Sequence, residues 1–250
     1  MRRFFVPVSD IHENQAHIRG SDAHHLVHVL RKNVGEVFEA TDGQNRKLLL
    51  HIDEIRQDEV ICHILREERA SERSITLRLF QALPKNPAWE DILTRACELG
   101  VMEIFPLLTE RTIYPREMYR TIKPRWLKLV EETTKKTGRL SLMHVEPVIG
   151  WKDIPSFLGP RSLRIMPWEN EEDVMLFHVL DRAEDYAVVD LLVGPEGGFS
   201  LREVEEAKSW GFQTVSLGKR ILTTSTAVVS TVANIYYALE RRENTHPQKF

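Results

Sequence analysis

The sequence predicts an α/β protein in two parts, a small β-rich domain followed by a larger domain of alternating strands and helices. Three observations predict it. Residues 1 to about 70 hold several short apolar runs of strand length and one helical interruption. EERASERS, residues 67–74, is polar and has no large apolar side chain, as a linker requires. Beyond it, strand-like runs alternate with helical ones, the pattern of a mostly parallel sheet covered on both faces. The expected domains are therefore 1–70 and 74–250.

In the first part RFFVPV, EVFEAT, KLLLHIDEI and EVICHIL read as strands, with TDGQNRK turning between two of them. Short strands this dense predict a small barrel. SDAHHLVHVLRKNVG, residues 21–35, reads as one helix: Ser21 or Asp22 caps it, Leu26, Val29 and Leu30 recur at helical spacing, and Gly35 ends it. In the second part ITLRLFQAL, VMEIFPLL, SLRIMP, YAVVDLLV and QTVSLG read as strands. Helices are expected over 88–99, across KPRWLKLVEETTKKTGR, near EEDVMLFHVL, across LREVEEAKSW and from about Thr226 to Arg241.

Whole-chain properties narrow the setting. The chain of 250 residues is 42% hydrophobic and 28% charged, which fits a soluble globular protein. The start, MRRFFVPV, turns polar too soon for a signal peptide, and no apolar run approaches the roughly 18 residues of a membrane span. Cys62 and Cys97 form no metal-spaced pair, so a reduced, cytoplasmic location without membrane contact is expected. Charge is segregated. Residues 111–139 carry nine Lys/Arg against three Asp/Glu, whereas 167–190 carry eight Asp/Glu against one Arg. One surface suited to a polyanion and another turned from it would give that split.

The chemistry concentrates in two loops. LLVGPEGGFSLREVEEA, residues 191–207, stops a strand at Gly194-Pro195-Glu196-Gly197-Gly198 and starts a helix at Ser200, whose capping box is completed by Glu203. Open α/β sheets bind ligands at such strand ends. Glu196 opposes a phosphate there and suits a positive centre or ribose hydroxyls. SLGKRILTTSTA, residues 216–227, again ends a strand with glycine; Leu217, Ile221 and Leu222 can line an apolar slot, and Gly218 admits close backbone. A planar base held by main-chain groups needs this pairing, although two ordinary turns would also give it. No dinucleotide fingerprint, P-loop or G-x-S-x-G occurs. His24 and His28 share a helical face but lack a completing ligand, so no metal is expected.

RRFFV, DAHHLVHVLRKNVG, LPKNPAWEDILTRACELGVMEIFPL, ERT, LLVGPEGGFSLREVE and LGKRIL occur in that order over nearly the whole chain. Together they resemble the ribosomal small-subunit (16S) RNA uridine N3-methyltransferase family of the SPOUT superfamily. The resemblance implies an N-terminal PUA-like barrel, a C-terminal SPOUT domain tied in a deep trefoil knot, a homodimer, and S-adenosyl-L-methionine as cofactor. The substrate it implies is small-subunit ribosomal RNA, free or in the assembled subunit. Cofactor contacts would come from Met166 and Pro167 at one strand end, and from Val193, Gly194, Glu196, Gly197 and Gly198 at the next. Leu217, Gly218, Arg220, Ile221, Leu222 and Thr226 would complete them around the adenine. Glu196 is the candidate base and Arg220 the candidate stabiliser of a uracil anion. RNA contacts would come from Arg2, Arg3, His24, His25 and Arg31, and from Lys85, Arg111, Lys136 and Arg139.

Two runs depart from the family pattern. Where the family carries Glu-Gln and then Arg in the basic helix, this chain has TKKTGR, which keeps Arg139 and offers Lys135 and Lys136. Where the family reads Arg-x-Glu-Thr after RIL, this chain has Thr223-Thr224-Ser225-Thr226. Restoring Arg at 223 or Glu at 225 alone is expected to bury an unpaired charge. A related enzyme acting on another RNA nucleotide, or a catalytically silent RNA-binding homologue, would also fit these departures.

Overall fold

The structure, a computed structural model, describes residues 4–69, 75–85, 88–113, 116–183 and 186–245, with side chains to Arg241 except that of Arg116. Two compact units result: residues 1–73 with 131–142, and 74–130 with 143–250. Segment 131–142 lies within the sequence range expected for the second domain but is grouped with the first unit.

The first unit contains β1 (Phe4–Phe5), β2 (Ile11–His12), β3 (Gln15–Arg19), α1 (Gly20–His24), β4 (Val37–Thr41), β5 (Arg46–Ile55) and β6 (Glu59–Arg69). These strands form one sheet in the order β1-β4-β5-β6-β3-β2. Alternate residues Leu48, Leu50 and Ile52 of β5 are buried and pack with Ile18, Leu26, Phe38 and Val60, the period-two pattern of a sheet with one apolar face. The helix expected over 21–35 is shorter. After α1 the chain widens into a π turn over His25–Val29, and Arg31 adopts a left-handed φ of 53°. Only Ala23 and Leu26 of this stretch are buried, while Val29 and Leu30 face solvent, so its apolar spacing did not define a core face. The β2–β3 hairpin escaped the sequence reading because its polar turn, HENQ, carries no glycine. β6 also extends to Arg69, three residues into the expected linker, where charged residues continue the ladder with β5.

The second unit contains β7 (Thr76–Ala82), α2 (Ala88–Leu99) and β8 (Glu103–Leu108), followed by the start of α3 (Pro124–Thr137). Next come β9 (His144–Val145), β10 (Ile149–Gly150), α4 (Ile154–Phe157), β11 (Leu163–Pro167) and α5 (Leu176–Arg182). It ends with β12 (Val188–Val193), α6 (Leu201–Ser209), β13 (Gln213–Val215) and α7 (Thr224–Thr245). The sheet order is β10-β8-β7-β12-β11-β13 with β9 beside β8, and every pair is parallel. Phe80, Met166 and Leu192 project into one core with Val204 and Ala207 of α6 and with Phe199. α2 packs on α7, and α7 on β12. The strands are buried almost throughout, as parallel strands between helices must be. No described helix is long and apolar enough to cross a membrane.

Both cysteines are buried and neither is part of a disulfide. Burial pushes the Cys62 thiol up to about 12, so almost none of it is the reactive thiolate near neutral pH. Iodoacetamide is therefore expected to label Cys62 and Cys97 only after unfolding, with mass spectrometry of native and denatured samples as the check. Prompt labelling of native Cys62 would contradict the packing of β6.

Candidate functional site

Three neighbouring strands, β12, β11 and β13, end on the same side of the sheet, and a cavity of about 520 Å3 opens there. It is lined by residues 167–169, 193–199, 216–224 and Ala227. That size suits a cofactor, and the place is where parallel α/β sheets bind ligands.

The glycines at its wall differ in what they do. Gly198 has φ 67°, and a Cβ there would stand 2.1 Å from Glu169 Oε1. Gly218 has φ 111° with open space around it, so its backbone conformation, not crowding, favours glycine. Gly194 lies 3.1 Å, measured from an added Cβ, from the Phe199 ring that floors the loop. Gly197 has neither constraint, since its nearest neighbour, Arg111, is at 3.6 Å.

Side chains far away in sequence hold the Gly194–Gly198 loop. Thr224 Oγ1 donates to the Gly194 carbonyl at 2.7 Å, and Gln81 Nε2 donates to Thr224 Oγ1 at 3.1 Å. Arg111 donates to the Gly197 carbonyl at 2.6 Å, and the Lys85 amide donates to Glu196 Oε1 at 3.0 Å. Beyond the loop the expected capping box is present: Glu203 N donates to Ser200 Oγ, and Ser200 N to Glu203 Oε2 at 2.9 Å. Glu203 Oε1 also accepts from the Glu110 amide at 2.8 Å, which ties the E-R-T turn to the start of α6. Fastened at Gly194, Glu196 and Gly197, the loop is preorganised for a ligand.

Of the residues expected around a cofactor, Pro167, Val193, Gly194, Glu196, Gly197, Gly198, Leu217, Gly218, Arg220, Ile221 and Leu222 line the cavity. Met166 lies fully buried behind it. Thr226 is not part of the lining; its hydroxyl is 2.9 Å from that of Thr223 at the start of α7. Sequence reasoning missed Trp168, Glu169, Phe199 and Thr224 in the wall. Trp168 and Glu169 directly follow Pro167, so extending the flagged strand end by two residues would have found them.

Of the expected RNA contacts, Arg2 and Arg3 lie outside the described residues. In the first unit His24, Arg31 and Lys136 are exposed, Arg139 is half-buried, and His25 rests its ring against Phe4 at 5.9 Å. In the second unit Lys85 and Arg111 are exposed. Lys135 is buried and pairs with Asp22 at 2.7 Å and Glu131 at 2.6 Å, so its charge is spent internally. Burial opposes that charge, but the two carboxylates outweigh burial and hold the Lys135 pKa above its ordinary value. Lys135 thus carries its own counter-ions within the first unit.

The expectation that Arg at 223 would be buried does not hold. Thr223 is exposed, and its Oγ1 accepts from the Thr226 amide at 3.4 Å as an N-cap of α7. Thr223→Arg is expected to cost about 1 kcal/mol through the lost cap, seen as a lower urea midpoint with unchanged slope. Destabilisation of several kcal/mol would restore the buried-charge account.

The parallel sheet, the loop pair and the cavity at its strand ends define an α/β domain that binds a small ligand at its strand ends. The RNA methyltransferase domain family matches residues 71–236, and the RNA methyltransferase PUA domain matches 18–65. A Synechocystis protein, ribosomal RNA small subunit methyltransferase E, is 30% identical over 95% of this chain and 78% of its own. The Bacillus subtilis protein of that name is 24% identical over 96% and 98%. The chain belongs to the ribosomal RNA small subunit methyltransferase E family. In fold it matches the Neisseria gonorrhoeae enzyme of that name, crystallised bound to S-adenosyl methionine, with TM-score 0.80, 25% identity and coverage of 95% and 97%. The N-terminal unit is accordingly PUA-like and the C-terminal one a SPOUT methyltransferase fold.

Proposed function

We propose that this protein methylates uridine at N3 in small-subunit ribosomal RNA, with S-adenosylmethionine as methyl donor, in the cytoplasm and as a homodimer. The observation that carries this reading is the cavity of about 520 Å3 walled by glycine backbone at 194–198 and 218. A cofactor with a flat base and a cationic sulfur fits it, because bare backbone can approach the base and Glu196 offers a carboxylate to the cation. When bound, S-adenosylmethionine supplies an already activated methyl group.

The chain's own work is alignment and proton removal. Pro167, Gly194, Gly197 and Gly198 would hold one part of the donor, and Leu217, Gly218 and Leu222 the adenine. Glu196, fixed by the Lys85 amide, is the proposed acceptor of the uracil N3 proton. Arg220 at the cavity rim would stabilise negative charge developing on the uracil. Holding both partners in line contributes much of the rate. His24, His25, Arg31, Lys136 and Arg139 of the PUA-like unit, with Arg2, Arg3, Lys85 and Arg111, would bind RNA phosphates. Lys135 is left out of that set because Asp22 and Glu131 neutralise it.

The test is mass spectrometry of nucleosides from small-subunit RNA of cells with and without this gene, joined to methyl incorporation by the purified protein. Loss of N3-methyluridine on deletion and its return with the pure enzyme are expected. Unchanged N3-methyluridine would defeat the uridine assignment. The threonine and serine at 223 and 225 favour a second reading, a changed RNA target, which a different missing nucleoside would reveal.

A further inference from the structure

Away from the cavity, β5 and β6 bring three metal-ligating side chains together. His51 and His63 stand directly opposite one another across the ladder, so both imidazoles rise from the same face of the sheet. Their ring centroids are 4.5 Å apart. Asp53 follows His51 by two residues, and the register slips at this point: Ile52 pairs with Cys62, but Glu54 pairs with Ile61. Asp53 is thus the extra residue of a β-bulge, a device that re-aims a side chain at some cost to the ladder. The bulge directs its carboxylate between the two rings, with Oδ1 2.8 Å from His51 Nδ1 and 2.6 Å from His63 Nδ1.

We propose that His51, Asp53 and His63 form a binding site for a borderline divalent transition metal, with zinc as its type ion, on the PUA-like unit. Two imidazoles and one carboxylate suit zinc and its neighbours, whereas magnesium and calcium require oxygen donors. Metal bonds of about 2.0–2.2 Å in tetrahedral array separate adjacent donors by about 3.3 Å. The two Oδ1–Nδ1 separations need open by only about 0.5–0.7 Å to reach that spacing, and all three donor atoms lie within 4.8 Å of one another. Their side chains are 30–35% exposed and have room to do so. Three protein donors leave the remaining position to solvent. Among the described residues no other trio of His, Cys, Asp or Glu converges in this way. The exposed pair His24 and His28, with ring centroids 4.7 Å apart, offers two imidazoles without a carboxylate. Sequence spacing pointed to that pair and away from metal; the true neighbours lie on different strands, twelve positions apart.

The proposal is tested on the full chain with zinc ions alone, titrated in competition with a chromophoric chelator. One ion per chain is expected. His63→Gln and Asp53→Asn should each weaken binding at least tenfold, and the His24→Ala/His28→Ala double variant should leave it unchanged. A second measurement needs no variant: zinc should slow diethyl pyrocarbonate modification of His51 and His63, read by peptide mass spectrometry, and spare His24 and His28. Absence of saturable binding at micromolar zinc would mean the trio is a hydrogen-bonded staple between strands, and the proposal fails. It fails equally if binding survives His63→Gln, or if protection falls on His24 and His28.

Discussion

Gly198→Val is expected to leave a folded protein that no longer gains thermal stability from S-adenosylmethionine and no longer transfers methyl groups. The residue needs φ 67°, a left-handed conformation that costs an ordinary side chain about 1–2 kcal/mol. The added Cβ would also fall 2.1 Å from Glu169 Oε1. Glu169 is exposed and flexible, so it can move, and the fold survives. Its carboxylate and the valine methyl groups then compete with the cofactor for the same cavity. In the native protein, ligand at about 100 times its Kd contributes roughly 2.7 kcal/mol, a readily measured shift in Tm. Gly159→Ala, outside the cavity lining, is the matched control. Its Cβ would meet nothing within 4 Å, and its φ is not left-handed, so the shift should remain. Equal shifts in both variants would remove Gly198 from the cofactor wall. No shift in the unsubstituted protein would remove the cofactor reading itself.

These contrasts mark what the sequence could disclose. Gly194–Gly198 and Gly218 were legible because glycine clusters at strand ends are local signals, and the Ser200–Glu203 capping box is a four-residue pattern. The clasp on the loop was not legible, because Gln81 and Thr224 are 143 residues apart and meet only when the start of α7 reaches the end of β7. Glu203 illustrates the boundary within one side chain. Its Oε2 makes the expected cap, while its Oε1 serves the Glu110 amide, 93 positions away. α1 was overextended because exposed Val29 and Leu30 mimic a helical apolar stripe that the fold does not bury. The trio of His51, Asp53 and His63 depends on strand register and a bulge, neither of which composition records.

Asp190→Ala is expected to destabilise the protein by about 3–5 kcal/mol, the cost of stranding a buried charge. Asp190 is fully buried at the centre of β12, with Arg78 of β7 beside it in register on one side and Arg164 of β11 on the other. Its Oδ1 accepts from Arg78 Nε at 2.7 Å and lies 2.6 Å from Nη2, so one carboxylate oxygen faces both nitrogens. Its Oδ2 accepts from Ser162 Oγ at 2.6 Å. Arg78 is held further by the Phe157 carbonyl at 3.0 Å, so its guanidinium cannot simply swing out to water. Against a typical total stability of 5–15 kcal/mol, the loss is large enough to bring unfolding near working temperature. Urea denaturation should show a much lower midpoint with little change in slope. Removing both charges together, Arg78→Met with Asp190→Leu, should recover part of the loss, because the desolvation cost of that pair disappears while Arg164, 3.9 Å from the Asp190 carboxylate, keeps its bonds to the Trp210 and Gly159 carbonyls. The effect reaches the site as well: β12 runs from Asp190 straight into Gly194, so a slackened strand should weaken cofactor binding before the whole domain unfolds. A loss below about 1 kcal/mol, within the range of an exposed ion pair, would show that Arg78 finds water. The pair could then not be what fixes β12 between its neighbours.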